Sequence, residues 1–189
     1  MIYEIDKSIL IFIKDYIRND TLTPIMRFIT TLGNAGLIWI AITIFLILYK
    51  PTRKVGVIAM AALVSEFLVC NVILKNIVRR TRPYVRIKEL SPLVKRPTDF
   101  SFPSGHASSS FAVGFTIFRK CDKRAGIPAF LLAVLIAFSR LYVAVHYPSD
   151  VIVGAVIGMV FSHVGEWMVE ILHKRFENRE QENHEENDG

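Results

Sequence analysis

The sequence predicts an all-α integral membrane helical bundle, with five transmembrane helices and an N-terminal helix lying in the interface. Three observations carry this. Of 189 residues, 52% are apolar and the mean hydropathy is +0.38, high for a soluble domain. Several nearly uncharged runs reach the roughly 20 helical residues that a ~30 Å hydrocarbon core requires. No run shows the period-2 alternation of a barrel strand, so helices must satisfy the backbone in lipid.

The elements follow in chain order. Ile5, Ile9, Phe12, Ile13 and Tyr16 recur at helical spacing, but Lys14 and Asp15 interrupt a stretch too short to span. This predicts an amphipathic helix at the lipid–water boundary, with a sixth span as the alternative. The start lacks a basic region followed by a small-residue cleavage site, so no signal peptide is predicted. Spans are predicted at residues 24–49, 54–79, 103–119, 125–143 and 149–173. Phe28–Tyr49 carries no charge, Val55–Leu74 only Glu66, and Phe100–Phe118 none. Ala125–Val145 carries only Arg140, and Val151–Leu172 has Glu166 and Glu170 near its far end. Residues 1–175 read as one domain, and the acidic stretch 176–189 as a disordered tail. Cys70 and Cys121 are too far apart in the chain to suggest a disulfide framework or a metal site.

The net charge is +6. The excess is membrane-proximal, which gives no reason to expect a nucleic-acid partner. One side of the bundle holds Lys50, Arg53, Lys54, Arg119, Lys120, Lys123, Arg124, Lys174 and Arg175, in short loops that the positive-inside rule assigns to the cytoplasm. The opposite side, residues 80–102 and 140–149, is also basic. A ligand with several negative charges would explain cations on an outer face.

Three clusters fall on that second side. In KNIVRRTRP, Lys75 and Arg82 are two helical turns apart, and Pro83 predicts that the helix ends at Arg82. A lysine point charge and an arginine fork together suit a phosphate, although each also suits a snorkelling anchor. In FPSGHASSS, Pro103 predicts a helix start, where free backbone N–H groups and the dipole favour an anion. Ser104, Gly105 and His106 sit at that start, and an ordinary N-cap with incidental serines is the alternative. In SRLYVAVHYPSD, Arg140 closes the fourth span, and His146 and Asp150 lie four apart at the start of the fifth. A carboxylate near a histidine can fix its tautomer and stabilise the imidazolium; Asp150 could equally cap the helix. Ionisable groups gathered at one end of three spans are functional candidates by default.

These three stretches resemble the signature of the type 2 phosphatidic acid phosphatase (PAP2) family, which shares its site with vanadium haloperoxidases. The family pattern is lysine, six residues, Arg-Pro; then Pro-Ser-Gly-His; then Ser-Arg, five residues, His, three residues, Asp. Lys75 to Arg82-Pro83, Pro103 to His106, and Ser139-Arg140 to His146 and Asp150 match it at every position. The resemblance implies that His146 is the nucleophile and forms a phosphohistidine. It implies that Asp150 orients and charge-stabilises His146, and that His106 protonates the leaving oxygen. Lys75, Arg82, Arg140, Ser104 and the Gly105 N–H would hold the phosphoryl oxygens, with no metal and no cofactor.

The implied function is hydrolysis of a phosphate or diphosphate ester of a membrane lipid. Undecaprenyl diphosphate is favoured because the site is predicted to face outward; phosphatidylglycerophosphate and phosphatidate are the other candidates. A lipid phosphotransferase with the same site and a non-catalytic membrane scaffold are the rival readings. The oligomeric state is not legible. Glu66 reads as an interhelical hydrogen-bonding group, and Gly154 and Gly158 as a packing face. Arg79, Arg80, Arg86, Lys88, Lys95 and Arg96 read either as guides for an anionic headgroup or as solvated loop charge.

Overall fold

The computed structural model describes residues 1–187, with side chains through Arg179. Helices form where the apolar runs predict them. The first is α1 (Ile2–Phe12), which passes into a π-helical turn at Ile13–Ile17. Then come α2 (Leu22–Leu32) and α3 (Leu37–Leu48), joined across a 3₁₀ turn, Asn34–Gly36. Next is α4 (Arg53–Phe67), prolonged by the π-helical Leu68–Leu74 into α5 (Lys75–Val78). The short α6 (Pro83–Arg86) precedes a long irregular segment. The chain ends with α7 (Gly105–Lys120), α8 (Lys123–Tyr142) and α9 (Pro148–Asn187). No strand occurs among the described residues.

Five spans are expected, and the described residues fill them unequally. Three helical runs, Lys50–Arg86, Lys123–Tyr142 and Pro148–Arg179, are long and apolar enough to cross a bilayer. A fourth span exists if α2 and α3 count as one, because they are bent by 48° at their junction. The bend has a local cause: Ala35 and Gly36 both adopt positive φ, 50° and 68°. The remaining expected span, α7, has 16 residues, ~24 Å at 1.5 Å per residue, short of a full crossing. It need not face lipid along its length, because α4, α8 and α9 pack around it and bury most of its side chains.

The core lies around α7. Trp39 of α3, Phe111 and Val113 of α7, and Ala133 and Ile136 of α8 pack there with Ala59 and Leu63 of α4. The Trp39 indole N–H donates to Ser110 Oγ at 2.8 Å, so this large ring is buried without an orphaned donor. Gly158 of α9 lies against the α7 backbone: a Cβ there would sit 2.3 Å from the Ser108 carbonyl oxygen. The far ends of the two helices are joined by Arg119, whose guanidinium reaches Glu166 at 2.6 Å, and by Lys120 on the same carboxylate.

Two boundaries differ from expectation. The helix carrying Lys75 ends at Val78, not at Arg82, because Arg79 turns left-handed (φ 50°) and its N–H closes on the Lys75 carbonyl at 3.1 Å. Pro103 precedes the N-cap of α7 rather than opening its first turn, and Ser104 is the cap. At the C-terminus, α9 continues to Asn187 through the stretch expected to be disordered. Glu, Gln and Arg are good helix formers, and no proline or glycine interrupts Phe176–Asn187. Residues 188 and 189 of that tail lie outside the described residues.

α1 is amphipathic as its spacing predicts. Ile2, Ile5, Ile9, Phe12 and Tyr16 are exposed, whereas Asp6, Leu10 and Ile13 are buried against the bundle. The apolar face thus points outward, as an interfacial helix requires.

Candidate active site

A cavity of about 1340 Å³ opens at the end of the bundle where α5, the α7 N-terminus and the α8–α9 connection meet. Lys75, Arg82, His106, Arg140 and His146 all line it, with Gly105 and Ser109. The opposite wall is apolar and includes Ile40, Met60, Val64, Phe67 and Leu68. Val64, Phe67 and Leu68 are each half exposed. The cavity therefore has a cationic floor and a lateral apolar flank.

The floor is positive by construction. Arg82 is buried and spends its donors locally. Nε bonds the Asp99 carbonyl at 2.9 Å, Nη1 the Val145 carbonyl at 2.7 Å, and Nη2 the Asp99 carboxylate at 2.7 Å. Lys75 Nζ donates to the other oxygen of Asp99. Burial alone would raise the Asp99 carboxyl, but the hydrogen bond and charge of Lys75, and then Arg82, hold it down at about 2. Arg140 is also buried; Nη1 donates to Thr30 Oγ1 at 2.6 Å, while its Nε–H has no partner. A buried guanidinium N–H left unpaired beside a cavity is a ready donor for an anionic oxygen.

The two imidazoles are held differently. His146 lies between α8 and α9. Its Nδ1–H donates to the Ser101 carbonyl at 2.7 Å, which leaves the Nε2 lone pair unprotonated, 3.3 Å from Arg82 Nη1. Burial drives its pKa well below the ordinary histidine value; Arg82, Arg140 and Lys75 push the same way, and the Ser101 carbonyl opposes them. His106 is the second residue of α7, and its Nε2 lies 3.2 Å from Asn34 Oδ1 in the α2–α3 turn. The approach is close: a Cβ on the neighbouring Gly33 would meet His106 Cδ2 at 2.6 Å.

Both histidines and the three expected cations, Lys75, Arg82 and Arg140, thus line one cavity. The PAP2 superfamily profile matches residues 53–174. The chain belongs to the PAP2 superfamily. An undecaprenyl-diphosphatase of Sulfolobus acidocaldarius is 34% identical over 138 residues, 73% of this chain and 66% of that protein. The undecaprenyl-diphosphatase BcrC of Bacillus subtilis is 30% identical over 151 residues, 76% of this chain and 75% of its own length. Among solved structures, the PAP2 type phosphatidylglycerolphosphate phosphatase of Bacillus subtilis superposes with a TM-score of 0.72 at 28% identity. That superposition covers 89% of this chain and 86% of that one.

Within this PAP2 chain, two expected residues sit away from the cavity. Ser104 is wholly buried as the α7 N-cap, its Oγ accepting from the Ala107 N–H at 3.4 Å. Asp150 is wholly buried too, and its Oδ2 stands 3.6 Å from His146 Nδ1, beyond hydrogen-bond reach. Asp150 instead accepts from Ser101 Oγ at 2.5 Å and from the Tyr147 N–H at 2.9 Å. It fixes the residue whose carbonyl orients His146.

Glu66 is wholly buried beside Cys70 and Ser108 of α7, the interhelical setting expected of it, but these neighbours fall outside strict hydrogen-bond geometry. Neither carboxyl oxygen makes a hydrogen bond, although both are buried. Arg80 is no solvated loop charge. Its Nη1 contacts Asp150 Oδ1 at 2.5 Å and its Nη2 contacts Asp6 Oδ2 at 2.7 Å. The sequence reading did not single out Asp6, Asn34, Asp99 or Ser101. The signal for Asp6 was weak, because it is one of three charged residues, with Glu4 and Lys7, on an amphipathic helix.

Proposed function

We propose that this chain is a membrane lipid phosphatase that works through a phosphohistidine at His146. The observation that carries the reading is the shared cavity, where a neutral imidazole, its unprotonated Nε2 3.3 Å from Arg82 Nη1, lies with Lys75, Arg82 and Arg140 beside an apolar flank. His146 Nε2 attacks phosphorus, and the bond to the leaving oxygen breaks. The proton for that oxygen comes from His106, with the leaving oxygen replacing Asn34 as acceptor. Water then attacks phosphorus, gives its proton to His106, and the P–N bond breaks to release orthophosphate. Lys75, Arg82, Arg140 and the Gly105 N–H stabilise the spreading negative charge, which is the main task in phosphoryl transfer.

The apolar flank suits a substrate that keeps its chains in the bilayer while its headgroup enters the cavity. Support for a polyprenyl diphosphate comes from the names of the Sulfolobus and Bacillus relatives; support for phosphatidylglycerophosphate comes from the superposed structure. We place the site on the extracytoplasmic face, because Arg119 and Lys120 mark the opposite end of α7 from His106. The testing experiment is a phosphate-release panel over a polyprenyl diphosphate, phosphatidylglycerophosphate and a short-chain phosphatidate in detergent, with chelator present. Release from at least one substrate, undiminished by chelator, is expected. Silence on all three overturns the activity, and loss on chelation overturns the role given to the cations.

The state of His146 gives a separate expectation. A histidine whose pKa is depressed stays neutral at every pH above that value, so the nucleophile is ready at neutral pH. Ring ¹⁵N NMR of the free enzyme, assigned with His146→Asn, should show His146 neutral, protonated at Nδ1 alone, as pH falls from 8 through its ordinary value of 6.5. Protonation at or above 6.5 would contradict the assigned environment.

A further inference from the structure

We propose that Asp6 and Arg80 are positioning residues for the phosphohistidine step, tying the N-terminal helix to the nucleophile through Asp150. The inference rests on the phosphatase reading. Arg80 lies between two carboxylates from opposite ends of the chain, Asp6 of α1 and Asp150 of α9. It also donates to Ser149 Oγ at 2.7 Å, and its guanidinium lies 4.0 Å from the Tyr147 ring centroid. Asp6, almost wholly buried, accepts from the Ser149 N–H at 2.9 Å and from Ser149 Oγ at 2.5 Å. Two hydrogen bonds from Ser149 join the first turn of α9 directly to α1, and Arg80 bridges Asp6 to Ser149 and Asp150; that turn begins two residues after His146.

Charge gives the arrangement its function. Asp150 has no solvent contact, and a lone buried carboxylate is costly and tends to neutralise. Arg80 supplies the counter-charge. Arg80 alone, however, would cancel the negative field that Asp150 presents to His146. Asp6 restores it: the trio carries two negative charges and one positive, a net −1 beside the imidazole. When Nε2 takes the phosphoryl group, the ring becomes cationic with its Nδ1–H still on the Ser101 carbonyl. A net negative cluster on that side stabilises this state more than the neutral ring of the free enzyme. The effect belongs to kcat and to phosphoenzyme level, not to substrate binding, because none of the three residues lines the cavity.

The test uses the full chain in detergent with whichever substrate of the panel the wild type hydrolyses. Asp6→Asn and Arg80→Met should each lower kcat by about tenfold to a hundredfold, as loss of outer-shell partners of a functional imidazole does. KM should stay within about twofold. The alkali-quenched level of ³²P-phosphohistidine should fall in parallel. The double variant should be no worse than Arg80→Met alone, because the residues act as one unit. Arg80→Lys should recover part of the loss. Unchanged kcat in both single variants, or a KM effect with kcat preserved, overturns the proposal while leaving the phosphatase intact. So does a fall in kcat that tracks lost folded protein in Arg80→Lys as well as Arg80→Met. A wild type silent on every substrate removes the phosphatase reading, and the proposal with it.

Discussion

His146→Asn is expected to fold and to be inactive, with kcat lower by about 10⁴-fold or more, the scale on which removal of a catalytic nucleophile acts. Asparagine suits the test because its side-chain N–H₂ falls near the place of Nδ1 and can still donate to the Ser101 carbonyl, which His146 meets at 2.7 Å. What it lacks is any atom at Nε2. Phosphate release should vanish and no alkali-stable phosphoenzyme should form. Orthophosphate should still compete for the cavity, because Lys75, Arg82 and Arg140 remain in place. An asparagine variant that keeps more than about a hundredth of wild-type kcat would show that the nucleophile lies elsewhere, since binding and charge stabilisation alone leave far less. The measurement separates chemistry from binding in one protein.

The site was legible because its residues come as short local patterns. Lys75 with Arg82-Pro83, Pro103 to His106, and Arg140 with His146 each sit within a dozen residues, so spacing alone groups them. The helices were legible because apolar runs of membrane length leave the chain little choice. What stayed hidden depends on partners distant in sequence. Arg80 gains its meaning from Asp6, and Asp6 from Ser149, 143 positions away. Neither contact leaves a periodic trace. The direct pairing of His146 with Asp150 was expected from their separation of four residues. The two stand 3.6 Å apart, within ion-pair range, but the Nδ1–H goes to the Ser101 carbonyl, so Asp150 acts on the ring by charge rather than by a direct hydrogen bond. Lys75 and Arg82 were placed on one helix face, yet the helix ends between them. Both still reach Asp99, because the turn at Arg79 brings Arg82 back. Spacing thus grouped residues that do line one cavity, with the wrong backbone joining them. The packing of α7 was missed for a related reason: a helix wrapped by neighbours does not need the length that lipid demands.

Gly158→Leu is expected to cost both stability and activity. A Cβ at position 158 would stand 2.3 Å from the Ser108 carbonyl oxygen, 2.8 Å from the Ala112 nitrogen and 2.9 Å from Phe111 Cβ. Two of these are backbone atoms in mid-helix, which cannot swing aside as a side chain can, so α9 must move away from α7. Overpacking of this kind costs about 1–3 kcal/mol for modest insertions, and a leucine adds further atoms to a contact already closed to a methyl group. The two helices also carry the two halves of the chemistry: His106 stands in the first turn of α7, and His146 immediately precedes α9. A shift of about 1 Å between reacting groups is enough to cost about a hundredfold in rate, so activity should fall even in the fraction that remains folded. Thermal unfolding in detergent and phosphate release per folded molecule measure the two effects separately. Val156→Leu, on the same helix but half exposed at 49%, adds one methylene on the outward side and should leave both unchanged. A Gly158→Leu protein with wild-type melting and turnover would mean that the α7–α9 contact does not set the distance between the histidines, and the shared cavity would then need another support.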